Sequence, residues 1–178
     1  MYAETLKLIA TLEGRRPSPQ LPEQLHALFR RLGDDGSASE EIEDEIWRLW
    51  MRHSDVAAAF DLERAIRAMT AEDWGVADQI LRRVVGSHPE YAEAWNKRAT
   101  LYYMHGKDEH SVYYIHRTLV LEPRHYGAIC GFAEILLTRG EGDAALFVFE
   151  QALRINPRLD PARKAIEKLL ALKPPVQH

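Results

Sequence analysis

The residues best suited to chemistry in this 178-residue sequence are its eight histidines and its single cysteine. His105, His110 and His116 fall close together and Cys130 follows, a set of nitrogen and sulfur donors that invites a metal reading. Their spacing argues against it. No pair among them has the i, i+4 interval that puts two imidazoles on one helical turn, and a lone cysteine cannot form a Cys-x-x-Cys pair. We expect no metal and no cofactor. Cys130 would act as a nucleophile only beside a base or cation, since an unassisted thiol is mostly protonated at neutral pH. His116 and His125 are the bases in question, and the sequence alone places neither beside it. No nucleophile with its base, no pocket carboxylate pair and no ligand set emerges, so no catalytic residue is assigned and a noncatalytic protein is expected.

Residues 94–103, AWNKRATLYY, raise a different chemistry. On a helix Trp95, Ala99 and Tyr102 fall at i, i+4 and i+7 and mark an inward stripe, yet Arg98 sits at i+3 on the same stripe. A buried guanidinium is too costly to stand unpaired, so it must meet a carboxylate, backbone carbonyls or water. Asp78 and Glu122 are the candidate acids. In one reading Arg98 lays its stem on Trp95 or Tyr102 and pairs with such a carboxylate. In the other it joins Asn96, Arg124 and His125 in a polar cluster that receives an acidic group from a partner.

The elements that hold these residues belong to an ordinary globular composition, 46% hydrophobic and 28% charged. A net charge of -4 supplies no basic field for nucleic acid, and the pairs Arg15-Arg16, Arg30-Arg31 and Arg82-Arg83 are not interleaved with aromatics, so they read as solvated helix faces. The first twenty residues lack the pattern of a secretory signal, no apolar run is long enough to span a bilayer, and one cysteine suits a reducing compartment; a cytoplasmic protein without membrane insertion is expected.

Internal repetition sets the fold. Pro89, Pro123 and Pro157 stand 34 residues apart, and so do Gly106 and Gly140. In register, Ala65, Ala99 and Ala133 align, then Ala77, Ser111 and Ala145, the small side chains that closely crossing helices require. The glycines suit left-handed helix ends and the prolines stop second helices. The unit is helix, turn, helix, proline.

This pattern resembles the tetratricopeptide repeat family over residues 58–159, as windows 58–91, 92–125 and 126–159. The middle window fits best, through Trp95, Ala99, Tyr102, Gly106, Ser111, Thr118 and Pro123; in the first, Asp61 and Glu72 replace an aromatic and the glycine. The resemblance implies an all-α, right-handed superhelix of antiparallel helix hairpins, an α-solenoid. Residues 160–173 read as an amphipathic capping helix and 174–178 as a tail. Upstream, 21–57 reads as a degenerate helical hairpin closing the other end of the stack, its second helix opened by a capping box of Ser37 and Glu40 after the turn GDDG. Residues 1–20 read as a short helix over Thr5 to Glu13 and a linker, suited to mobility or to contact with another chain.

Family geometry implies a concave groove lined by first helices, giving Asn96, Thr100, Tyr103, Met104, Cys130, Glu134 and Leu137 as partner-binding residues, with Arg124 and His125 at its edge. Arg64, one period before Arg98, joins it as a structural or cluster residue. The carboxylate clamp of the chaperone-binding subclass is absent, because Leu62, Ile66, Asn96 and Thr100 occupy its places. The expected function is a scaffold or adaptor that binds a peptide or protein segment in this groove. The alternative is a structural role, self-association as a homo-oligomer or service as one subunit of a larger assembly, through Leu6, Leu8, Ile9, Leu12 and the Trp47 and Trp50 region.

Overall fold

The computed structural model describes residues 1–32 and 39–172, and among them it is helical with no strand. Three hairpins form the centre: α4 (Val56–Thr70) with α5 (Trp74–Ser87), α6 (Ala92–Met104) with α7 (Asp108–Leu121), and α8 (Tyr126–Thr138) with α9 (Gly142–Ile155). Each packs within itself and on the next, and α10 (Asp160–Ala171) covers α9. Before them come α1 (Tyr2–Ile9), a 3-10 turn at Leu12–Gly14, α2 (Gln24–Leu32) and α3 (Ser39–Met51). The expected architecture, an all-helical solenoid of hairpins, is the observed one.

Its causes are those read from the repeat. Ala65, Ala77, Ala99, Ser111, Ala133 and Ala145 are all buried where paired helices cross, and the Ser111 hydroxyl donates to the Ala99 carbonyl at 2.9 Å. Asp55 opens α4 by accepting from the Ala57 amide at 2.8 Å, the side-chain capping that satisfies an orphan donor. Gly106 and Gly140 take left-handed φ values of 64° and 77°, and Glu72, at the position where the first hairpin lacks the glycine, is forced to 57°. That conformation costs a side-chain-bearing residue about 1 kcal/mol, evidence that packing rather than local preference dictates the turn. The paired amide bonds that close a left-handed cap recur: Lys107 to Tyr102 at 2.9 Å, Glu141 to Leu136 at 2.9 Å and Asp73 to Ala68 at 2.8 Å.

The N-terminal third departs from expectation. Helix α1 starts at Tyr2 rather than Thr5 and ends at Ile9, where the Thr11 hydroxyl turns back to the Lys7 and Leu8 carbonyls. It lies against α7 and α9 of its own chain. Leu8, Ile9 and Leu12 are buried in the main core, and Thr5 meets His116 at 3.3 Å. Of the residues singled out for self-association, Leu8, Ile9, Leu12 and Trp50 are therefore already covered, and Leu6 and Trp47 are partly so.

The pair α2 and α3 does not close the start of the stack either. Its apolar face, Leu25, Leu28, Leu32, Ile42, Ile46, Leu49 and Trp50, forms a second core that includes Tyr126 and touches Ile155 and Leu159. It has folded back over the turns that join successive hairpins. In consequence the first face of α4 stays open, with Val56 and Phe60 exposed. The proposed Ser37 capping residue, the GDDG turn and the 174–178 tail lie outside the described residues.

Candidate functional site

The joint between α3 and the inter-hairpin turns gathers charged and polar residues around two buried carboxylates. Helix α6 begins at Ala92, so Glu93 and Asn96 project one turn apart beside the turn that carries His125. Glu93 is fully buried; His125 Nε2 donates to its carboxylate at 2.7 Å, Lys97 Nζ lies at 2.9 Å, and Asn96 donates at 3.2 Å. Burial alone would raise this carboxyl, but the His125 hydrogen bond and the Lys97 charge outweigh it and hold it below the ordinary carboxylate range. The tautomer of His125 is fixed, because its Nδ1 accepts from the Ala128 amide at 3.2 Å and caps α8. Trp50 of α3 stacks on the imidazole with ring centroids 4.0 Å apart.

A second carboxylate, Glu122, is also fully buried. Arg124 grips it with two parallel bonds, Nε and Nη2 each at 2.8 Å, and Trp50 Nε1 points to it at 3.5 Å. Arg124 lies over the Phe29 ring of α2, 4.4 Å from its centroid. Trp47 sits above Gly127, where a Cβ would come within 3.1 Å of the indole. Asn96, Arg124 and His125, placed by the sequence reading on a partner-binding surface, are thus bonded within the chain; Arg124 and His125 hold the α2–α3 pair to the repeats, and Asn96 bonds Glu93 of its own helix.

Of the remaining groove residues, Thr100, Tyr103, Met104, Glu134 and Leu137 lie toward the other end of the first helices, while Cys130 occupies on α8 the place of Asn96 on α6. Thr100 and Glu134 are exposed, Tyr103 is 37% and Met104 57% exposed, and Cys130 and Leu137 are half-buried. Burial raises the Tyr103 phenol, and the charges of Glu134 and Asp108 add to the effect. Burial also pushes the Cys130 thiol up to about 12, with Glu134 contributing, so this sulfur is not activated as a nucleophile.

Arg98 turns toward α5 and α7. Its Nη2 lies 3.7 Å from Asp78, its guanidinium covers Tyr114 at 4.5 Å, and its buried Nε has no hydrogen-bond partner among the described residues. Asp78, one of the two acids considered, faces it; Glu122 belongs to Arg124. Arg64 differs, being exposed and paired with Asp61 at 3.1 Å.

The histidines judged from spacing scatter: His105 meets Trp74 and His110 stacks on Tyr102. A different set converges. Donor atoms of His53, His88 and Glu90 all lie within 4.8 Å of one another. His53 and Glu90 also line a cavity of about 350 Å³ shared with Gln20, Trp50 and Tyr91. Spacing within one helix could not reveal this set, since its members come from two connections brought to the same edge of the stack.

No family model matches the chain. It is similar to a TPR repeat-containing protein of Rhizobium etli, 30% identical over 160 residues that cover 89% of this chain and 78% of that protein. Among the described residues no helix is long and apolar enough to cross a membrane.

Proposed function

The chain belongs to the tetratricopeptide repeat family, whose members serve in general as noncatalytic protein-interaction scaffolds, and from that premise we propose that its distal groove holds a segment of a partner protein. The observation that carries the reading is the contrast in occupancy along the first helices. Glu93 and Asn96 are buried beside the chain's own α3, whereas Thr100, Tyr103 and Met104 remain open to solvent across from Glu134. Tyr103 and Met104 supply adaptable apolar contact. Glu134 and Asp108 supply acidity around it. The fitting ligand is an apolar side chain flanked by a basic residue.

The test starts from purified chain as bait in a host lysate, followed by titration of the recovered partner against the parent and a Tyr103→Ser, Met104→Ser variant. The reading expects affinity to fall about tenfold or more in the variant. Equal affinity for parent and variant overturns it. Self-association has lost its support, since Leu8, Ile9, Leu12 and Trp50 are buried within one chain.

A further inference from the structure

The connection between α3 and α4 and the connection between α5 and α6 meet at one edge of the stack, and each brings a histidine. His53 Nε2 lies 3.0 Å from Glu90 Oε1, and His88 Nδ1 lies 3.7 Å from the same oxygen. The two imidazoles are 4.6 Å apart between centroids. All three side chains are partly accessible, at 11%, 23% and 33% for His53, His88 and Glu90, so a small cation can reach them and their rotamers can adjust. We propose that His53, His88 and Glu90 bind one Zn²⁺, with Asp55 orienting His88 from behind.

The chemistry favours this ion over the hard cations. Two imidazoles with one carboxylate suit zinc, whereas magnesium and calcium select oxygen sets. Three protein ligands plus solvent is an established zinc arrangement, and tetrahedral bonds of about 2.0–2.2 Å put ligand atoms roughly 3.4 Å apart. The observed separations bracket that value.

A second feature points the same way and is independent of the convergence. Asp55 Oδ2 lies 3.3 Å from His88 Nε2, the nitrogen facing away from the cluster. A carboxylate there holds the ring proton on Nε2 and leaves the Nδ1 lone pair aimed inward, the outer support that metal-binding histidines use. Nδ1 of His88 and the Glu90 oxygen then face each other as two acceptors, a juxtaposition that a cation between them relieves.

His53 is arranged differently. Its Nδ1 accepts the Asp55 amide at 3.0 Å, so in the metal-free chain its proton sits on Nε2, toward Glu90. Zinc replaces that proton, which moves to Nδ1 at the expense of the amide contact. The fourth position on the ion is left to solvent, on the side of the cavity that His53 and Glu90 line. Bound zinc ties the exit of α3 to the turn that closes the first repeat.

The experiment uses the full chain, stripped with a chelator and titrated with Zn²⁺ against a chromophoric competitor. The parent should take up one equivalent. His88→Gln and Glu90→Gln should each weaken binding about 100-fold or more. Asp55→Asn, which retains a side chain able to cap α4, should cost about 10-fold, the size of an outer-support effect. His110→Gln, remote from the cluster, should bind like the parent. Should His88→Gln fail to match the parent's helicity, Glu90→Gln carries the test. One-equivalent binding lost in these variants supports the site. Failure of the parent to bind one equivalent, or unchanged affinity in Glu90→Gln, overturns it.

Discussion

The two ends of α6 lie on one helix and are put to opposite uses. At the N-terminal end Glu93, Asn96 and Lys97 are drawn into a joint with His125 and the tryptophans of α3. At the C-terminal end Thr100, Tyr103 and Met104 stay exposed. Position along the first helix therefore does not make a residue a ligand contact; what the rest of the chain has already placed there decides it. The α2–α3 pair acts as an internal occupant of the proximal edge, and its docking rests on two buried carboxylates, each held by a neighbour in the chain. Buried charges of this kind specify geometry more than they add stability, because their pairing must first offset desolvation.

The strongest way to break the contrast is at Trp50. Trp50→Ala removes the His125 stack and opens a cavity between the two cores, and should cost about 4 kcal/mol in urea denaturation. A loss below about 1 kcal/mol would mean that the pair is not seated as described. Next, His125→Ala leaves Glu93 buried without its shortest hydrogen bond and should cost about 3 kcal/mol by the same measurement.

Acidification probes the same joint more gently. The folded-state pKa of Glu93 is depressed, so in acid the unfolded chain binds more protons than the folded one. The stability it contributes is present above the ordinary carboxylate range and is lost as pH falls through the folded value. The groups facing it are His125, Lys97 and Asn96, with the Tyr91 and Tyr126 phenols nearby and both pushed upward, foremost by burial. Burial lowers His116 as well, which acts in the same direction on the acid side of neutrality. Thermal melts from neutral pH down to about pH 2 should show stability falling most steeply below the ordinary carboxylate range, with a shallower slope there in Glu93→Gln. At the small end, Tyr103→Ser with Met104→Ser should alter stability by no more than about 0.5 kcal/mol while weakening partner capture. A large stability loss there would make the distal groove a packed interface too.

Much of this was legible in the residues. The 34-residue period of proline, glycine and small side chains gives the three hairpins, because each recurrence marks a place where only a stop, a left-handed turn or a close crossing fits. Asp78 was within reach as a partner for Arg98, since both lie on the stripe shared by neighbouring hairpins. The docking of α2 and α3 was not, because a period describes how repeats stack and says nothing of a preceding segment that folds back. Trp47 and Trp50 in one short helix were the available signal, an apolar surface larger than an end cap needs. His53 and His88 were hidden for a related reason. They are 35 residues apart, close to one period, and each follows the end of a helix, so the regularity that hides them from local motifs also brings them together.

The contrast between the two ends of α6 is tested most directly by hydrogen exchange along the chain, free and bound to the captured partner. The account predicts that binding slows exchange at residues 100–104 and in the facing turns of α8, with α3 and residues 92–97 unchanged. Faster exchange in α3 on binding, together with altered protection at 92–97, would show that the partner displaces the α2–α3 pair, and would contradict it.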